Sequence, residues 1–180
     1  PGMTILNPAD DVEARAAVKA AYELDGPVYL RFGRLAVPVI NDKSDYHFEI
    51  GKGTLLREGT DVTIVATGLE VAESLVAAEL LAQKGIHAEV IDICTIKPLD
   101  VDIIVKSAEK TNRVVTVEEH SVIGGLGGAV AEALAEVRPT KMKRIGVYDQ
   151  FGVSGPAEEL VHKYELDGEG IAKQVEAFLK

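Results

Sequence analysis

Apolar residues recur along the chain in two rhythms. Short runs such as Val62-Thr63-Ile64-Val65-Ala66 are β-branched and almost wholly apolar, as in a strand buried on both faces. Longer stretches repeat every three or four residues. Val71, Leu75, Ala78 and Leu81, closed by Gly85 in the terminating position, predict a helix. The alternation continues with a strand over 88–93, then a helix capped by Asp100 through Ile104 and Ala108. A strand over 113–117, a helix over Val130, Leu134 and Val137, and a strand over 144–148 follow. Pro156 sits at a first helical turn, where its missing N–H costs nothing, and Ile171, Val175 and Phe178 mark a closing amphipathic helix. Strands starting near 62, 88, 113 and 144 leave room for a crossover helix in each gap, which predicts a parallel sheet covered on both faces. Residues 54–57 and 61–66 flank Glu58-Gly59-Thr60, which predicts a hairpin and one antiparallel edge strand.

The amino-terminal segment reads as strand, helix, strand. Residues 3–6 are apolar, Asp10 follows turn chemistry as a helix cap, and Ala14, Ala17, Val18, Ala21 and Leu24 keep helical spacing. Gly26-Pro27 stops that helix before a second strand over 28–32. Two strands and a helix cannot enclose a core, so this block must lean on something else. Residues 36–53 carry no clear period, and the polar 41–45 stretch is the natural linker. The expected fold is a three-layer α/β/α domain over 44–180, mostly parallel with one antiparallel edge strand, preceded by a partial βαβ unit over 1–43. The abrupt Pro1-Gly2-Met3 start suggests a piece of something longer.

Composition narrows the function. The 180 residues hold 19 Lys+Arg against 29 Asp+Glu, a net charge of −10, which argues against nucleic acid and anionic membranes as partners. The 47% hydrophobic content supports a sizeable core. A single cysteine, Cys94, excludes an internal disulfide and a thiolate zinc cluster and points to a reducing, cytoplasmic setting.

In a sheet of this kind ligands gather at the carboxyl ends of the strands. Gly124-Gly125-Leu126-Gly127-Gly128 precedes a helix but lacks a Lys-Ser/Thr pair, and Val130 stands where a dinucleotide loop needs glycine or alanine. A loop of unusual dihedrals and close packing is the better reading. Glu118, Glu119 and His120 form the one dense cluster of titratable groups near the expected crevice, either an acid–base site or a polar contact loop. Arg31 and Arg34 end the second strand. They could hold a phosphate or carboxylate by bidentate bonds, or they could form structural ion pairs. No catalytic residue and no metal set emerges from the spacing.

Several stretches together resemble one family. Asp61-Val62-Thr63-Ile64-Val65-Ala66-Thr67-Gly68, then Val90-Ile91-Asp92-Ile93-Cys94-Thr95-Ile96-Lys97-Pro98-Leu99-Asp100, then Val115-Thr116-Val117-Glu118-Glu119-His120 with Gly124-Gly125-Leu126-Gly127 resemble the carboxyl-terminal domain of transketolase-like proteins. Glu119 through Gly125 and Tyr148 through Gly155 look most like the carboxyl-terminal subunit of a split transketolase. The amino-terminal block looks like the last βαβ of the preceding pyrimidine-binding domain. The resemblance implies two-carbon ketol transfer between sugar phosphates with thiamine diphosphate and Mg, a supporting and dimer-contact role for this part, and an amino-terminal portion or subunit as partner. It implies a substrate-phosphate arginine at Arg34, with Arg31 the weaker candidate, and places cofactor and metal ligands upstream. Alone, the chain is then expected to be inactive and to bind no cofactor tightly. Deoxyxylulose-phosphate synthase and the beta subunits of 2-oxoacid dehydrogenases share parts of the pattern. Arg34 argues against the latter, whose substrates are not sugar phosphates. A stand-alone interaction module is the alternative from another class.

Overall fold

The computed structural model describes residues 1–42 and 46–180. The main sheet has five strands: β3 (Thr54–Arg57), β4 (Val62–Ala66), β5 (Ala88–Asp92), β7 (Arg113–Ser121) and β8 (Lys141–Val147). Their spatial order is β3-β5-β4-β7-β8, and every pairing is parallel except that of β3. Strand alternation divides the core into two layers. On one face Val62, Ile64 and Val90 meet α2 (Glu70–Ala82) and α6 (Gly168–Leu179) through Leu81, Ile171 and Val175. On the other, Val65, Ile91 and Val114 meet α3 (Val101–Thr111) and α4 (Leu126–Val137) through Ile104, Val130 and Leu134. Thr63, the one polar residue inside β4, bonds the hydroxyls of Ser107 and Thr111 on α3, so no donor is stranded there. The three-layer expectation holds.

The expected caps hold too. Asp100 Oδ1 accepts the Ile103 N–H at 3.3 Å, and Asp10 Oδ1 accepts the Glu13 N–H at 2.8 Å. The hairpin does not hold. β3 pairs antiparallel with β5, not with β4. The turn carries the chain past the start of β5, where the Thr60 and Asp61 N–H groups donate to the His87 carbonyl. A side chain at Gly59 would overlap the Ala88 backbone, so only glycine lets the crossing run this close. The last strand also begins three residues before the predicted start at Arg144.

The amino-terminal block finds part of its support within the chain. β1 (Thr4–Leu6) pairs parallel with β2 (Val28–Leu30), and antiparallel with β6 (Thr95–Lys97), a strand the hydrophobic pattern does not announce. With them goes a small core of Leu6, Cys94 and Ala17 of α1 (Asp11–Glu23), against which Phe48 and Ile50 pack. The expected boundary between residues 43 and 44 lies outside the described residues.

Candidate functional site

β2, β4, β7 and β8 end at one edge of the molecule. Between them and α5 (Ala157–Lys163) lies a cleft of about 440 Å³. Leu69, Val147, Leu160 and Tyr164 give it mostly apolar walls, and Arg31, Arg34 and Glu119 supply its charge. Arg31 extends β2, its N–H bonding the Leu6 carbonyl at 2.9 Å. Its Nη2 donates to both the backbone oxygen and Oε2 of Glu119, each at 3.2 Å. That pair ties the end of β2 to the end of β7. Arg34, three residues on, lines the same cleft, is exposed, and has no carboxylate partner among the described residues.

The titratable cluster on β7 is therefore divided. Glu119 turns toward Arg31. Glu118 turns the other way and is fully buried against the start of α4, where its Oε2 accepts the Leu126 N–H at 2.7 Å and its Oε1 the Gly127 N–H at 2.8 Å. His120 Nδ1 stands 3.1 Å from Glu118 Oε2. Burial raises the Glu118 pKa, while the two N–H bonds, His120 and Arg144 oppose the rise. A helix N-terminus is where a phosphate would sit, and here a carboxylate of the protein already takes those donors. The start of α4 does not fit a diphosphate. Among the described residues no three His, Cys, Asp or Glu side chains converge on a metal position. Among the described residues the donors at the strand ends do not fit thiamine diphosphate and its metal.

Two features were not read from the sequence. Glu70, the first residue of α2, is fully buried, and neither carboxyl oxygen has a hydrogen-bond partner among the described residues. Burial, with Glu73, Glu119 and Asp167 nearby, pushes its pKa up to about 9, so it is neutral at pH 7. The second feature is an acidic seam between the amino-terminal block and the main sheet, formed by Asp10, Glu13 and Asp92. Glu13 accepts the Ala9 N–H at 2.7 Å and the Tyr46 hydroxyl at 2.9 Å. Acidic residues at a strand end and in a first helical turn were the visible signal. Their burial depends on neighbours distant in sequence.

A family model for the transketolase C-terminal domain matches residues 51–171. The chain belongs to the transketolase C-terminal domain family. It is 48% identical over 173 residues to a 6-deoxy-6-sulfo-D-fructose transketolase subunit of a Clostridium species, covering 96% of this chain and 53% of that protein. A 1-deoxy-D-xylulose-5-phosphate synthase of Geobacter sulfurreducens is 42% identical over 184 residues, 99% of this chain and 29% of the relative. Among solved structures, a split-gene transketolase described as an inactive beta4 tetramer superposes with a TM-score of 0.94 at 48% identity, over 99% of this chain and 58% of that one. The chain spans about half the length of the transketolase subunits it matches. No helix among the described residues is long and apolar enough to cross a membrane.

Proposed function

We propose that this chain is the carboxyl-terminal part of a thiamine diphosphate-dependent transketolase acting in the cytoplasm on sugars that carry a terminal anion. An amino-terminal portion or subunit holds the cofactor and Mg. Residues 44–180 form the supporting domain and contribute to a homodimer contact, and residues 1–43 complete a pyrimidine-binding domain begun upstream. The observation that carries the reading is Arg34, a cation with no carboxylate partner among the described residues, set on a mostly apolar cleft at the strand ends. Mostly apolar walls lower the local dielectric and strengthen its hold on a phosphate or sulfonate. The sulfonated sugar in one relative's name agrees with a terminal anion.

The test is steady-state kinetics of the assembled enzyme. Arg34→Ala should raise KM for a phosphorylated acceptor about tenfold, the value of one charge-assisted contact, and leave an unphosphorylated acceptor unchanged. Equal loss on both would make Arg34 structural. The likeness to deoxyxylulose-phosphate synthase supports a second reading, separated by assaying both reactions on the same assembled enzyme.

A further inference from the structure

The two arginines of the cleft are not equivalent. Arg31 donates twice to Glu119 with its side chain 25% exposed, while Arg34 is exposed and has no carboxylate partner among the described residues. Two arginines and one glutamate give the cleft a net charge of +1. Glu70, the nearby buried carboxyl, adds nothing while it keeps its proton.

We infer that Glu119 is a specificity-determining residue. By occupying Arg31 it leaves Arg34 as the sole anion contact, so the cleft accepts one terminal anionic group and rejects a second. Arg31 then acts through Glu119, whose charge it neutralises at the edge of the cleft, and is not itself an anion contact. The inference rests on the reading of Arg34 as the anion contact and adds the residue that limits the charge on offer.

Inorganic phosphate and pyrophosphate serve as probes, titrated against the full chain by NMR chemical shift at low salt, where a partly exposed charge is least screened. Glu119→Gln should tighten phosphate about fivefold, the upper end for a partly exposed ion pair, and tighten pyrophosphate more, raising the ratio of the two affinities. Arg31→Ala should weaken phosphate, because Glu119 is then unpaired and repels it. The double variant Arg31→Ala/Glu119→Gln should return close to the parent affinity, since Arg34 alone again supplies the net charge. That return separates charge neutralisation of Glu119 from direct contact with the anion. A direct ligand could not be replaced by removing its carboxylate partner, so a double variant as weak as Arg31→Ala overturns the inference. Glu119→Gln without change in the affinity ratio also overturns it. Arg34→Ala with undiminished phosphate binding overturns instead the reading on which it rests. Should Glu119→Gln not fold, Glu119→Ser makes the same change of charge.

Discussion

Two helices begin at the carboxyl ends of neighbouring strands, and each has a buried glutamate at its start. At α4 the glutamate comes from the preceding strand. Glu118 reaches across eight residues to the Leu126 N–H, and its second oxygen takes the Gly127 N–H. At α2 the glutamate belongs to the helix. Glu70 has no N–H to accept, because the first N–H groups of α2 already turn back on the Thr67 and Gly68 carbonyls. Burial is the same at both sites, yet one carboxyl has donors on both oxygens and the other none among the described residues. Partners, not depth, decide what a buried carboxyl does for the fold. Glu118 supplies the anion that completes a helix start. Glu70 is tolerated as long as it holds a proton.

The sharpest way to expose this difference is the pH dependence of stability. The folded-state pKa of Glu70 is raised to about 9, while the unfolded chain releases the same proton near 4.5. The contribution is therefore fully present below pH 4.5 and is lost as pH rises to about 9, at up to about 1.4 kcal/mol per unit. Glu70→Gln keeps the shape and removes the titration. Its advantage over the parent in urea unfolding should grow to several kcal/mol by pH 9. Parallel curves from pH 5 to 9 would show that Glu70 is hydrated or paired in solution.

The paired site can be broken from either side. Glu118→Ala leaves two buried N–H groups without acceptors and should cost about 3 kcal/mol. Gly125→Ala should cost a similar amount, because the new Cβ would collide with Glu118 Oε2 and lie 2.5 Å from His120 Cε1. Both changes act on the Glu118 contact, so the double variant should cost less than their sum in denaturant unfolding, the clash with His120 remaining. Additive losses would mean that the glycine serves some other packing need.

What was legible in the sequence follows the range of the forces involved. Val62 through Ala66 and the helix face of Val71, Ala78 and Leu81 declare themselves by period, because each residue's burial is set by its own strand or helix. Asp10 and Asp100 cap helices three residues away and were read for the same reason. The partner of β3 was misread. A turn sequence reports only that the chain reverses, and the choice between β4 and β5 is made by packing across the sheet. β6 was missed because Thr95-Ile96-Lys97 is too short to show alternation and exists through its pairing with β1. In the cleft, both arginines were visible as candidates. Their separation into a paired and an unpaired one waited on Glu119, 88 residues beyond Arg31.

The seam between the two sheets carries the comparison into a mixed case, because it holds both kinds of carboxyl together. Asp10 is fully committed: Oδ1 caps α1, and Oδ2 accepts the Ile40 and Asn41 N–H groups at 2.8 and 2.7 Å. Asp92 is buried on β5 and neither oxygen has a donor in bonding geometry among the described residues, although the Asn41 amide lies nearby. Burial, then the charges of Glu13 and Asp10, raise its pKa well above the usual carboxylate range, and burial raises that of Glu13 as well. Tyr46 and Cys94 complete the described surroundings. Raised folded-state values again mean stability present at low pH and lost as pH rises. Asp92→Asn removes one titration and part of the repulsion on Glu13. It should stabilise the chain by about 1 kcal/mol at pH 8 and by less at pH 5. Amide exchange at Asn7, whose N–H bonds the Cys94 carbonyl, reads the docking of the amino-terminal block directly. Slower exchange in Asp92→Asn at pH 8 than in the parent, after correction for intrinsic rates, places the proton linkage at this seam. Equal exchange would place it elsewhere in the fold.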